Sequence, residues 1–203
     1  MTEGDQYRVL LREGGGVYRE KASKFLAFAY PWQDEETALE QIQALRKLHP
    51  KARHVCYAFR YLNTGRQEEK SNDDHEPGGT AGLPILNKLR SADIQEGMVA
   101  VVRYFGGTLL GKTGLIKAYG EAAALAISEA GDLLKFHTCE FCLQFPYTLA
   151  DLVQARLEKM KIEIVTREFE LDCTFVCAVR NGLSDAFQQW LKEHRISYQI
   201  KNK

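Results

Sequence analysis

The sequence carries no net charge: 27 basic and 27 acidic side chains balance over 203 residues. That disfavours a broadly cationic nucleic-acid binder and makes any anion site a local arrangement. It has no apolar run near the roughly 20 residues of a membrane span, so no membrane association is expected. The opening MTEGDQYRVLLREGGG lacks a basic stretch followed by an apolar one, so no secretory signal is read there. Cysteines are few and odd in number, five in all. Without an export signal, this favours a reducing cytoplasm over a disulfide scaffold. No internal repeat or low-complexity tract occurs. What remains is ordinary for a folded chain, 45% hydrophobic and 27% charged. The length suits one large domain or two small ones.

Residues 7–11 and 24–31 read as strands, with Gly14-Gly15-Gly16 as a turn signal between them. Asp34 opens a helix with an acidic first turn (Glu35, Glu36) and Ala38, Ile42, Leu45 and Leu48 at helical spacing; Pro50 ends it. Residues 55–62 return to strand. Residues 63–82 read as a long polar loop, of a length that is often functional or mobile. Pro84 suits the first position of a helix whose face is Ile85, Leu86, Leu89 and Ala92. Residues 98–102 are a continuous apolar run, the pattern of a strand buried on both faces. A glycine-rich turn then leads into a helix over 112–130, whose alanines allow close seating on a sheet.

Past Gly131-Asp132 the pattern changes. A strand over 136–145 is followed by a helix capped by Thr148 and running to Met160. Strands over 162–166 and 169–179, a helix over 183–194 and a strand over 196–200 complete a βαββαβ order, which is ferredoxin-like. The expected fold class is α+β, with a first domain over 1–135 and a small ferredoxin-like domain over 136–203.

The sharpest short motif is Gly106-Gly107-Thr108-Leu109-Leu110-Gly111-Lys112-Thr113, which satisfies the P-loop pattern G-x-x-x-x-G-K-[ST] between a strand and a helix. The rest of a P-loop enzyme is missing. No second apolar strand ends in an Asp for magnesium, and too few residues precede the boundary near 135 for the remaining parallel units. Cys139-x-x-Cys142 invites a zinc or redox reading, but in a strand positions i and i+3 face opposite ways. Cys173 and Cys177 share a face but stand roughly 13 Å apart at strand rise. The cysteines therefore read as small buried hydrophobes, with no metal and no disulfide. His54 sits in an aromatic strand, where a base and a satisfied structural histidine are both open readings.

Three stretches together are more specific than any of these. They are Ser71-Asn72-Asp73-Asp74-His75-Glu76-Pro77-Gly78-Gly79-Thr80-Ala81-Gly82-Leu83-Pro84, the run Val101-Val102-Arg103-Tyr104-Phe105-Gly106-Gly107 continued by Leu110-Gly111 and Gly114-Leu115, and Arg53-His54-Val55-Cys56-Tyr57-Ala58-Phe59-Arg60. In this order, over about residues 17–130, they resemble the YigZ/IMPACT family. The resemblance implies that the first domain adopts the fold of the second domain of ribosomal protein S-five. It implies that the second domain is similar to the last domain of elongation factor G. Both of those relatives contact RNA or the ribosome. Eukaryotic members regulate translation under amino-acid starvation, by competing for an activator of the kinase that phosphorylates an initiation factor. No enzymatic activity is established for the family. This chain departs from the family pattern at His75, where glycine is usual, and at Gly79, where serine is usual. Lys112-Thr113 replaces residues that are often small.

The expected anion- or RNA-binding residues are Arg103, Tyr104, Gly106, Gly107, Gly111, Lys112 and Thr113, on a glycine turn that opens a helix. Tyr104 or Phe105 would stack on a base. Asp73, Asp74 and Glu76 form an acidic loop with three open readings: a divalent-cation site, a general base, or caps and turn formers. Topology suggests that this loop and the Gly106 turn share one site. The expected function is a non-enzymatic RNA- or ribosome-associated protein that regulates translation, without a cofactor. Two alternatives stand beside it: a phosphate- or nucleotide-handling enzyme using both loops, and a protein-binding module of the translation machinery.

Overall fold

The computed structural model describes residues 5–63 and 65–201. They form two compact units, one of residues 8–134 and one of residues 135 onward joined by Asp5, Gln6 and Tyr7. The sequence alone places those three residues in the first domain. In the structure the Tyr7 ring stacks on His137, and the Asp5 carbonyl accepts the His137 N–H.

The larger unit is built from most of β1 (Gln6–Leu10), β2 (Gly14–Glu20), β3 (Ser23–Tyr30), α1 (Glu35–Leu48), β4 (His54–Asn63), β5 (Arg66–Asn72), α2 (Gly82–Ser91), β6 (Ile94–Tyr104), α3 (Gly111–Ala130) and most of β7 (Asp132–Phe136); the outer residues of β1 and β7 belong to the other unit. The apolar strand β6 lies at its centre. It pairs antiparallel with β3 on one side and β4 on the other, and its first residues pair parallel with β1. Its side chains alternate between two cores. Val99 and Val101 pack under α2 and α3, whereas Met98, Ala100 and Val102 pack under α1. Asp34 caps α1 by accepting the Thr37 N–H at 2.7 Å.

Two readings of the sequence are corrected here. Gly14-Gly15-Gly16 is not a turn but the start of β2, paired with β3. The glycines answer to a close approach. A Cβ at Gly14 would stand 2.4 Å from the backbone nitrogen of Ala130, and one at Gly16 would stand 2.7 Å from the Leu125 Cβ. Helix α3, lined there by Ala122, Ala123, Ala126 and Ala130, rests almost on the β2 backbone. The second correction concerns residues 63–82. Their first half is the polar strand β5, paired with β4 along its length. As an exposed edge strand it has no apolar alternation to betray it. Charge pairs hold it instead: Glu69 to Arg60 and Arg90, and Lys70 to Glu35.

The smaller unit contains β8 (Thr138–Pro146), α4 (Ala150–Met160), β9 (Glu163–Phe169), β10 (Asp172–Arg180), α5 (Ser184–Glu193) and β11 (Ser197–Lys201). The sheet order β11-β8-β10-β9, with antiparallel neighbours, is the ferredoxin-like arrangement expected. Thr148 does not cap α4: it lies inside a single 3-10 turn that precedes the helix. Phe141, Leu143, Phe175 and Val179 meet Leu157, Phe187 and Leu191 in the core. Cys139 points into this core, while Cys142, on the other face of β8, does not. Cys173 and Cys177 are core thiols, and burial pushes Cys177 up to about 12. All five cysteines are free thiols. Among the described residues no helix is long and apolar enough to cross a membrane.

The glycine packing yields a paired prediction. Gly14→Ala should destabilise by about 1–3 kcal/mol, the usual cost of overpacking. Gly15→Ala, whose Cβ would meet nothing nearer than 3.8 Å, should stay within about 0.5 kcal/mol of the parent. Urea unfolding of the two variants measures the difference.

Candidate functional site

The residues of the acidic loop are held by three different parts of the larger unit. The Asp73 carboxylate accepts the backbone N–H groups of Gly79, Ala81 and Gly82 at 2.8–2.9 Å. It thereby caps α2, whose own N-cap, Ala81, has no side chain suited to the task. Burial alone would raise its pKa, but these three donors outweigh it and hold the carboxyl below its ordinary value. Asp74 bonds Arg46 with one oxygen and the Val55 N–H with the other, each at 2.6 Å. Again burial opposes and the two donors prevail, so this carboxyl is also lowered. Asp74 and His75 both take a positive φ, +42° and +67°. The loop's hydrogen bonds hold this tight path at two residues other than glycine.

Glu76 turns inward. Its Oε1 accepts from Arg103 Nη1 at 2.5 Å and from the Tyr119 hydroxyl at 2.8 Å. The Cys56 thiol lies 3.3 Å from that hydroxyl and 3.1 Å from the Asp73 carbonyl. Burial, the largest effect, pushes both the Tyr119 phenol and the Cys56 thiol well above their ordinary values, so both are protonated donors. His54 closes the cluster. Its Nδ1 is 2.7 Å from the Asp74 carbonyl and its Nε2 is 3.9 Å from Glu76.

Of this cluster His54, Glu76 and Arg103 line a cleft of about 480 Å³, a volume in the range of small-ligand sites. The turn and first residues of α3 line it too: Leu109, Leu110, Gly111, Lys112 and Leu115. Arg53 and Lys112 line it as exposed cations, and Phe105 and Pro77 add apolar surface. The N-terminus of α3 has no side-chain cap, so its unpartnered N–H groups and partial positive charge face the turn. Arg103 lines the same cleft although it is only 6% exposed, and its Nε is buried without a hydrogen-bond partner. The Arg103 guanidinium also lies 5.5 Å from the Phe105 ring centroid.

Glu76 thus joins Arg103, Gly111 and Lys112 around one cleft, so the acidic loop and the glycine turn do meet. Four other residues singled out from the sequence lie elsewhere or serve another purpose. Tyr104, one position after Arg103 on β6, faces the α1 side, 2.9 Å from His49 Nδ1. Gly106 is a packing glycine: a Cβ there would stand 2.1 Å from the Ala22 carbonyl carbon. Gly107 supplies a φ of +88° in the turn. Thr113 is exposed but does not line the cleft. Asp73 and Asp74 are engaged as described. Sequence reading did not assign Arg53, His54 or Tyr119 to a site. Tyr119 looks like one more apolar position on α3, and only its hydroxyl's contact with Glu76 reveals otherwise.

Fold and site define a two-unit α+β protein whose larger unit carries a ligand-sized cleft with cationic and apolar walls. The chain belongs to the IMPACT family: the Impact N-terminal domain matches residues 21–127, and a domain of unknown function, DUF1949, matches residues 143–193. An IMPACT family member of Haemophilus influenzae is 32% identical over 174 residues, spanning 85% of this chain and 84% of that protein. The IMPACT family member YigZ of Escherichia coli is 33% identical over 74% of each chain. A crystal structure of a hypothetical protein superposes with a TM-score of 0.67 at 27% identity, over 98% of both chains.

The loop chemistry predicts an acid-sensitive fold. Carboxyls lowered by folding contribute stability that is complete above their unfolded pKa, about 3.9, and is lost as pH falls through the lower folded value. Asp73→Asn should therefore lose less stability between pH 6 and pH 3 than the parent does, read from urea midpoints at each pH. Asp73→Ala should cost about 2 kcal/mol at neutral pH, the upper end for a lost helix cap.

Proposed function

We propose that this chain is a non-enzymatic, translation-associated RNA-binding protein of the cytoplasm, whose larger unit holds a backbone phosphate of RNA in the cleft at the start of α3. One observation carries the reading: an uncapped helix N-terminus, Lys112, Arg53 and the buried Arg103 converge on one cleft beside an exposed aromatic, Phe105. Helix N–H groups and arginines suit a phosphate oxygen. Phe105, 42% exposed, offers a face on which a base can stack. Membership of the IMPACT family fits a role in translation, which the resemblance implies for its eukaryotic members. The zero net charge is consistent with a local site that supplies a few contacts rather than a long basic track.

Leu109, 82% exposed beside the same cleft, favours a second reading in which a protein of the translation machinery docks there. The two readings separate on salt. A phosphate contact makes affinity fall with salt, by about 0.7 logarithmic unit per tenfold for each charge on a single strand. Titration of a fluorescent uridine dodecamer into the protein at several salt concentrations should show that dependence. Lys112→Met should weaken binding and lower the slope by about 0.7. Lys47→Met, on the exposed surface of α1, should change neither. Absence of RNA binding even at low salt would overturn the RNA reading and leave the protein-docking one.

A further inference from the structure

The cationic cleft also presents a hydrogen-bond acceptor that a phosphate cannot use. His54 Nδ1 is 2.7 Å from the backbone carbonyl of Asp74. A carbonyl oxygen only accepts, so Nδ1 carries a proton, and in the neutral ring the lone pair is then on Nε2. Among the described residues no hydrogen bond to Nε2 is made, and the Glu76 carboxylate, 3.9 Å away, is itself an acceptor. His54 lines the cleft together with Glu76, and its side chain is 18% exposed. The carbonyl that orients it belongs to a residue tied down by Arg46 and the Val55 N–H. The imidazole is therefore pre-oriented, with an unused acceptor facing the site. The same cleft is lined by the cations Arg53, Lys112 and Arg103 and by the start of α3. A ligand that matches this lining has an anionic group and a hydroxyl that can donate.

Resting on the RNA reading above, we propose that His54 Nε2 accepts a hydrogen bond from the ribose 2′-hydroxyl, so that this cleft selects RNA over DNA. The 2′-hydroxyl is the donor that distinguishes the two polymers at a phosphate-binding site. In this role His54 is a specificity residue, and Asp74 is the positioning residue that fixes its tautomer.

The test compares three uniform pyrimidine dodecamers in low salt: uridine RNA, its 2′-deoxy counterpart and its 2′-fluoro counterpart. The fluoro sugar keeps the RNA pucker but has no hydroxyl proton to give. Wild-type protein should bind RNA about tenfold more tightly than either analogue. His54→Phe should bind all three with the affinity that the wild type shows for DNA. His54→Gln, which can both donate to the Asp74 carbonyl and accept from a ligand, should restore part of the preference. Circular dichroism establishes that the variants fold, and the wild-type comparison stands without them. If the fluoro and RNA strands bind equally, sugar pucker is being read and the His54 proposal is overturned. If all three strands bind equally, the phosphate site stands and hydroxyl selection is overturned. If none binds, the RNA reading itself has failed.

Discussion

The buried pair Glu76–Arg103 is the interaction on which the larger unit's organisation turns. It joins the loop after β5 to the end of the central strand, and through the Tyr119 hydroxyl it reaches α3. Both side chains are more than nine-tenths buried. Taking two ions out of water costs several kcal/mol each, which close geometry and extra donors must offset. Such a pair adds little net stability against an apolar replacement, yet breaking it by removing one partner strands a charge, at about 3–5 kcal/mol. Its consequence is positional. With Glu76 held inward, the loop must cross the end of the sheet, and Arg103 cannot swing out to solvent.

The same loop shows how apparent chemistry is spent on architecture. Three carboxylates in four residues suggest a cation site. Each instead answers a need created nearby: the open end of α2, the edge of β4 beside α1, and the buried guanidinium. Once these are met, His54 Nε2 still lines the cleft as an acceptor. Polarity at the cleft is therefore mixed, with cationic donors and an acceptor around one space.

Packing of α3 sets where that cleft can be. Its alanines and the glycines of β2 bring helix and strand backbones almost into contact. Gly106 likewise presses its backbone against Ala22 and Ser23. A helix seated this tightly cannot shift along the sheet without collisions. Its N-terminus is thus a fixed feature beside Arg103 rather than a mobile one.

Much of the fold was legible in the amino-acid order because it rests on local periodicity. The apolar run around Val99–Val102, the alanine stripe of α3, the Asp34 cap and each element of the βαββαβ rhythm after residue 135 show in short stretches of sequence. The family motifs contain Arg103 and Glu76, and the P-loop-like pattern singles out Lys112. Tertiary structure alone decided what those residues do. Strand alternation turned Tyr104 away from the cleft that Arg103 faces, and a one-residue difference in phase cannot be read until the sheet's two cores are known. Close approach, not turn geometry, accounts for Gly14 and Gly16, because the obstacle is a helix more than a hundred residues later. The edge strand β5 left no apolar signature, since its stability comes from a ladder and ion pairs with partners distant in sequence. His54 gained its orientation from a carbonyl twenty residues away. Local sequence encodes which element forms; which side chains converge depends on long-range pairing, where no residue carries the information by itself.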